Sequence, residues 1–302
     1  MMQVHQDVGV RSHFCGMGLR RRLASALAAC CYRPVVSPTA LSAPLDDAVE
    51  TQVRATLLDR FLPIYGDRVA SYVGDILGLD HYQARFDYLF AVIGPLDATN
   101  PSDILISGFS VGSEMVAARR AGFGRISGVE VDSFLVTTCA TRLAHLAEMY
   151  PSYYDGLTLP YEDALFDVVA SGHIIEHTAN PFVYLKECLR VLRPGGHLSL
   201  EFPTRYHHTE LHTRLPSLEW LPRPLRNLGL RLLRGRLSPF SKDVKRRYHS
   251  ILDTNLQQIS MGTVRRYLAD SGFASTVLKC EKVSPGVIRC VIRRDGPRPG
   301  SV

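Results

Sequence analysis

Two sets of residues in this chain have the types and the spacing to do chemistry. The first is Gly108-Phe109-Ser110-Val111-Gly112, which follows the apolar run Ile104-Leu105-Ile106 and precedes a helical pattern from Glu114 to Arg120. A second short apolar stretch, 126–131, carries Glu130, 22 residues after Gly108. Glycines at 108 and 112 let the backbone turn where a Cβ would crowd it and let a ligand come close. A helix starting near Ser113 offers its free N–H groups to whatever lies in the turn. An acid at this spacing is placed to accept hydrogen bonds from ribose hydroxyls. The second set is His173-x-x-Glu176-His177 together with His207, His208, Glu210 and His212. Histidine is the side chain best matched to taking a proton near neutral pH. His173 to His177 also spells the H-x-x-E-H of one metallopeptidase class. That motif needs a long helix and a distant third ligand, whereas here it falls in a strand-to-helix loop.

The elements that must position these residues follow from periodicity. Positions 46–94 place Val49, Val53, Leu57, Phe61, Val69, Val73 and Leu77 at helical spacing, which predicts two or three helices packed on the core. Strands are expected at 103–107, 126–131, about 157–159, 166–171 and 196–202, with helices between them. A helix over 261–273 and an antiparallel pair, 274–283 with 286–293, close the chain. Pro194-Gly195-Gly196 is read as stopping the helix that ends at Leu192. Alternating strands and helices argue for a mostly parallel sheet covered on both faces. The histidines then follow strands four and five, whose C-terminal ends face a shared cleft in such a sheet.

The turn alone departs from the dinucleotide fingerprint, reading G-x-S-x-G. Taken in order with Asp155 and Pro160, with Phe166 to His177, and with Leu185 to Pro203, it resembles the class I S-adenosylmethionine-dependent methyltransferases. The similarity is greatest to the branch of ubiquinone-biosynthesis and related small-molecule enzymes, and it covers about residues 100–205 and, more weakly, 260–294. It implies a Rossmann-like α/β fold: a mostly parallel seven-stranded sheet with helices on both faces, an N-terminal helical extension and a helical lid after strand five. It also implies S-adenosyl-L-methionine as cofactor. Carried over by position, Gly108, Ser110 and Gly112 face its methionine part, Glu130 holds the ribose and Asp155 meets the adenine amine. The family usually has an acid where Ile106 stands and a glycine where Ser110 stands. Glu114 either supplies a nearby negative charge in compensation or only favours the helix N-terminus. For the acceptor, His173, His177 and His212 are the candidate catalytic residues. No metal ligand is assigned, although some ubiquinone-pathway relatives place a divalent metal with the matching Glu-His loop, which keeps a metal-assisted site as an alternative.

The implied organisation is an extension over 1–45 that lies outside the ordered core, packing helices over 46–98, and a methyltransferase domain over 99–302 with a basic insertion at 204–258. In the extension, Arg20-Arg21-Arg22 precede Leu23 to Cys31, an apolar stretch short for a secretory segment. From Arg205 to Arg247 eleven Lys and Arg stand against three acids, so the chain's net charge of +6 is local to this segment. Leu225, Leu228 and Leu232 share one helical face there, and Arg226, Arg231 and Arg234 fall largely on the other. One reading is a lid helix that buries its leucines on the core. The others are a surface for anionic acceptors or a helix at an anionic membrane interface. A single Trp220 does not make a base-stacking platform, which argues against nucleic acid. No apolar run reaches the 18 or more residues that span a bilayer. Seven cysteines without a C-x-x-C spacing fit reduced thiols and a cytoplasmic location, peripheral to the membrane if the basic segment engages one. The expected activity is O-methylation of a small-molecule or glycan hydroxyl, with an anionic or lipid-linked acceptor included. The alternatives are a degenerate cofactor-binding scaffold and a nucleic-acid or protein methyltransferase.

Overall fold

A computed structural model describes residues 45–96, 102–204 and 259–297, together with 224, 225, 228 and 257. The described residues begin with three helices: α1 (Asp47–Tyr65), α2 (Val69–Leu77) and α3 (Asp80–Ile93). Asp46 caps α1 by accepting from the backbone N–H groups of Ala48 and Val49, which satisfies two donors the helix itself leaves open. Buried Val53, Leu57 and Phe61 recur every fourth residue, so α1 shows one apolar stripe to the core. The parallel unit follows: β1 (Asp103–Ser107), α4 (Ser113–Arg120), β2 (Arg125–Glu130), α5 (Ser133–Leu143), β3 (Met149–Tyr153), β4 (Phe166–Gly172), α6 (Pro181–Val191) and β5 (Leu192–Pro203). Helix α7 (Met261–Asp270) and the hairpin β6 (Phe273–Ser284) and β7 (Val287–Pro297) complete it.

The seven strands are ordered β3-β2-β1-β4-β5-β7-β6. All neighbours are parallel except β7, which runs antiparallel to both β5 and β6. Strand β1 shows why both faces are covered. Its residues are all buried, and because side chains alternate, Leu105 joins the core with α6 and α7 while Ile104 and Ile106 join that with α3, α4 and α5. A third cluster packs Val53, Leu57, Phe61, Val73 and Leu77 of α1 and α2 onto Val111. The strand order reverses between β1 and β4, and in such sheets the crevice at that reversal is the binding place.

Three expectations need correction. Strand three lies at Met149–Tyr153, and 157–159 is loop. As an edge strand it is only half buried and tolerates Pro151 mid-strand, so it lacks an apolar run to betray it. Pro194-Gly195-Gly196 does not separate helix from strand. Helix α6 ends at Val191 and β5 begins at Leu192, with the three residues bulging out where the register passes from Phe166↔Leu192 to Val168↔His197. Leu225 and Leu228 are 53% and 52% exposed, so they are not buried on the core. The rest of the basic insertion, including Arg226, Arg231, Leu232 and Arg234, lies outside the described residues, as does 1–44. Edge strand β6 is largely exposed and is broken by three register shifts against β7. No described helix is long and apolar enough to cross a membrane.

Helix α3 buries Phe86, 1% exposed, against Phe90 of the same helix and Phe123. Phe86→Ala should lower unfolding free energy by about 3–5 kcal/mol, read from urea denaturation with the slope unchanged. A loss under about 1 kcal/mol would show that α3 contributes little to the fold.

Candidate functional site

The glycine turn leaves β1 through three left-handed residues, Gly108 (φ +76°), Ser110 (φ +53°) and Gly112 (φ +85°). Ser110 bears a Cβ in that region at a cost of about 1 kcal/mol, so something outside the turn must hold it. Glu130 does so. It ends β2, 9% exposed, and its Oε2 accepts from Ser110 N at 3.0 Å while its Oε1 accepts from Val131 N at 2.8 Å. A Cβ on Gly108 would run into Ile174, and one on Gly112 would meet Cys139 Sγ at 2.6 Å and Leu143 Cδ1 at 2.8 Å. Asp155 follows β3 in an exposed loop, where its carboxylate accepts from Leu157 N and Thr158 N. Gly108, Ser110, Gly112, Glu130 and Asp155 therefore all lie at the C-terminal ends of β1, β2 and β3. An acceptor-only carboxylate under a turn with no room for a Cβ at Gly108, beside the N-terminus of α4, suits a ribose-bearing ligand.

At the adjoining ends of β4 and β5 stands a network of charges. Arg85 of α3 donates to Glu114 at 3.2 Å and to Glu201 of β5 at 3.0 Å. Glu201 also accepts from Arg289 Nε of β7 at 2.6 Å and faces His173 Nε2 at 3.1 Å. His173 Nδ1 lies 3.6 Å from Glu176 Oε1, and His177 Nε2 lies 3.8 Å from the same oxygen. Three carboxylates thus face two guanidiniums and two imidazoles. Burial alone would raise the Glu201 carboxyl, but His173, Arg85 and Arg289 hold it well below the usual carboxylate range. Burial pushes the Glu114 carboxyl up, and Arg85 opposes it. For His173, burial disfavours the charge, yet Glu176 and Glu201 outweigh it and raise the imidazole to about 9. His173 is therefore protonated at neutral pH, which does not suit the role of base expected of it. His212, with His207, His208 and Glu210, lies outside the described residues.

Sequence reasoning missed Arg85, Glu201 and Arg289. Glu201 carries a signal, being a lone acid among Leu198, Ser199, Leu200 and Phe202 and only 7% exposed. Arg85 and Arg289 carry none, because only the fold brings them together. Glu114 proves to be Arg85's buried partner, 3% exposed. Ile106 is fully buried in an apolar cluster and leaves no carboxylate at its position. His81 lies in the first turn of α3, its ring tilted 40° against that of Tyr82 with the centroids 3.7 Å apart. Burial and the charge of Arg85 lower its pKa. Among the described residues no group of three or more His, Cys, Asp or Glu has the geometry of a metal site.

Comparison with known proteins bears on the domain and its fold. A family model described as a methyltransferase domain matches residues 105–200. An uncharacterized 37.1 kDa protein in transposon TN4556 of Streptomyces fradiae is 29% identical over 135 residues, 44% of this chain and 38% of that protein. The ubiquinone biosynthesis O-methyltransferase of Caulobacter vibrioides is 31% identical over 124 residues, 37% of this chain and 44% of that protein. The chain spans less than half the length of each of these curated relatives. The S-adenosylmethionine-dependent methyltransferase of Mesorhizobium loti superposes with a TM-score of 0.50 at 15% identity, over 72% of this chain and 100% of that one. That last likeness is one of fold.

A histidine whose pKa is raised on folding adds stability below its unfolded value, near 6.5, and loses it as pH rises through about 9. The gap in melting temperature between the parent and His173→Gln should therefore be widest below pH 6.5 and shrink as the pH climbs past 9. A gap constant across that range would mean that folding leaves the pKa of His173 where it stands in the unfolded chain.

Proposed function

We propose that this chain, which belongs to the class I S-adenosylmethionine-dependent methyltransferases, moves a methyl group from S-adenosylmethionine to a hydroxyl of a small-molecule acceptor. The observation that carries the cofactor assignment is Glu130, ending β2 and bonded to Ser110 N of the glycine turn. In this reading Glu130 receives the ribose hydroxyls, Asp155 the adenine amine, and Gly108, Ser110 and Gly112 lie against the methionine part. When bound, the cofactor supplies an electrophilic methyl group on a sulfonium. The chain's own task is to hold an acceptor oxygen in line with that methyl, about 3 Å away, and to exclude water.

The acceptor proton needs a base. His173 is held charged by Glu176 and Glu201, with its two ring nitrogens turned to those carboxylates, so it acts as a fixed positive charge beside the acceptor. The proton passes instead to His177, 40% exposed at the same turn, or to His81, whose lowered pKa leaves it neutral at pH 7. His212 stays a candidate for acceptor positioning. A hydroxyl acceptor is supported by the relative named as a ubiquinone biosynthesis O-methyltransferase. The basic run from Arg205 to Arg247 favours an anionic or lipid-linked acceptor, glycans included, met in the cytoplasm or at a membrane surface. Buried, uncharged Ile106, at the position where the family usually carries an acid, favours a second reading, a scaffold that binds the cofactor without transferring its methyl.

Calorimetry on the purified chain should give micromolar affinity for S-adenosylmethionine. Glu130→Ala should weaken it by about 10- to 100-fold, the equivalent of one charge-assisted hydrogen bond. Gly108→Val should abolish it, since the side chain needs both a left-handed backbone and the space of Ile174. Absence of binding by the parent would refute the cofactor assignment. Binding without methyl-label transfer to any of a panel of phenolic, glycan and lipid-linked hydroxyls would favour the scaffold.

A further inference from the structure

Arg142 of α5 is fully buried and is the largest such side chain among the described residues. Its guanidinium takes Glu50 of α1 in a two-pronged pair, Nε to Oε1 at 2.5 Å and Nη2 to Oε2 at 2.9 Å. Its remaining nitrogen, Nη1, donates to the carbonyl of Val111 at 3.0 Å and to Ser113 Oγ at 2.7 Å. Ser113 in turn donates to the carbonyl of Ile76 at the end of α2 at 2.7 Å. Val111 lies between the left-handed residues Ser110 and Gly112, and its side chain is buried among Val53, Leu57, Phe61 and Val73. The turn is therefore gripped twice by the N-terminal helices: at its side chain by apolar packing, and at its backbone through Arg142.

From this arrangement we infer that Glu50 and Arg142 are positioning residues for the cofactor, coupling the docking of α1 to the conformation of the glycine turn. The inference rests on the reading of that turn as the S-adenosylmethionine site. The physical reason is that the turn contains a strained non-glycine residue, Ser110, and relaxes unless its neighbours are fixed. A guanidinium suits the task because its planar fork fills both oxygens of one carboxylate and still has donors for a carbonyl and a hydroxyl. Without Glu50 the guanidinium is left buried and uncompensated, so α5, Val111 and Ser113 shift until water reaches it. Coupling of this kind is reciprocal: whatever fixes the turn also fixes α1. Glu50 sits in the first helical turn of α1 and does not belong to the five residues assigned to the cofactor.

The test uses the full chain and three variants: Glu50→Gln, Glu50→Ala, and the apolar replacement Glu50→Leu with Arg142→Met, which fills the space and keeps the fold without a buried charge. S-adenosylmethionine affinity is measured by calorimetry, cooperative melting is checked for each, and amide exchange across residues 47–65 is followed with and without cofactor. Affinity should fall about tenfold in Glu50→Ala and in the double variant, and less in Glu50→Gln, which keeps one acceptor. Cofactor should slow exchange over 47–65 in the parent and leave it unchanged in the double variant. Parent-like affinity in a well-folded double variant, or exchange over 47–65 indifferent to cofactor in the parent, would overturn the inference alone. A parent that binds no cofactor overturns the reading of the turn and this coupling with it.

Discussion

The rest of the site depends on holding a strand-to-helix turn in a conformation that L-residues resist. Gly108, Ser110 and Gly112 must all stand in the left-handed region for β1 to enter α4 within five residues. Only two of them are glycine, so the local chain does not specify the turn by itself. Glu130 holds it from β2, Arg142 from α5, and Val111 anchors it to α1 and α2. Each restraint comes from a different element. The turn is an output of the assembled fold more than of its own sequence.

A second constraint acts at the neighbouring strand ends. Burying Glu114 and Glu201 is tolerable only because Arg85 reaches both and Arg289 reaches the second. Gly172 ends β4 where a Cβ would collide with the Arg85 guanidinium, so the backbone there makes room for the charge. The same network fixes the protonation of His173. A motif that in isolation suggests a proton acceptor becomes, once folded, a cation set among carboxylates.

The parallel core was legible because its signals are local. Leu105 against Ile104 and Ile106 reads as a strand buried on both faces, and Val53, Leu57 and Phe61 read as one face of a helix. That Gly108 and Glu130 fall at successive strand ends was legible from their spacing alone. Strand β3 was missed because an edge strand bearing Pro151 is exempt from the pattern that marks the others. Arg85, Glu50, Arg142 and Arg289 were missed for a different reason. Each is a charged residue in a helix or strand of mixed composition, where a solvated side chain is the ordinary outcome. Their pairing spans as many as 116 residues of sequence, between Arg85 and Glu201, and no local periodicity encodes it.

The broken register of β6 bears on how this molecule meets its own copies. A long, flat, unpaired strand invites a neighbouring chain to extend the sheet. Here the outer strand shifts register three times against β7 and carries Lys279 and Lys282, so a straight incoming strand cannot keep its hydrogen bonds in step along it. At the opposite margin Pro151 removes a donor from β3. Among the described residues both margins of the seven-stranded sheet are thereby made poor templates for the fibrous self-association to which open sheets are prone.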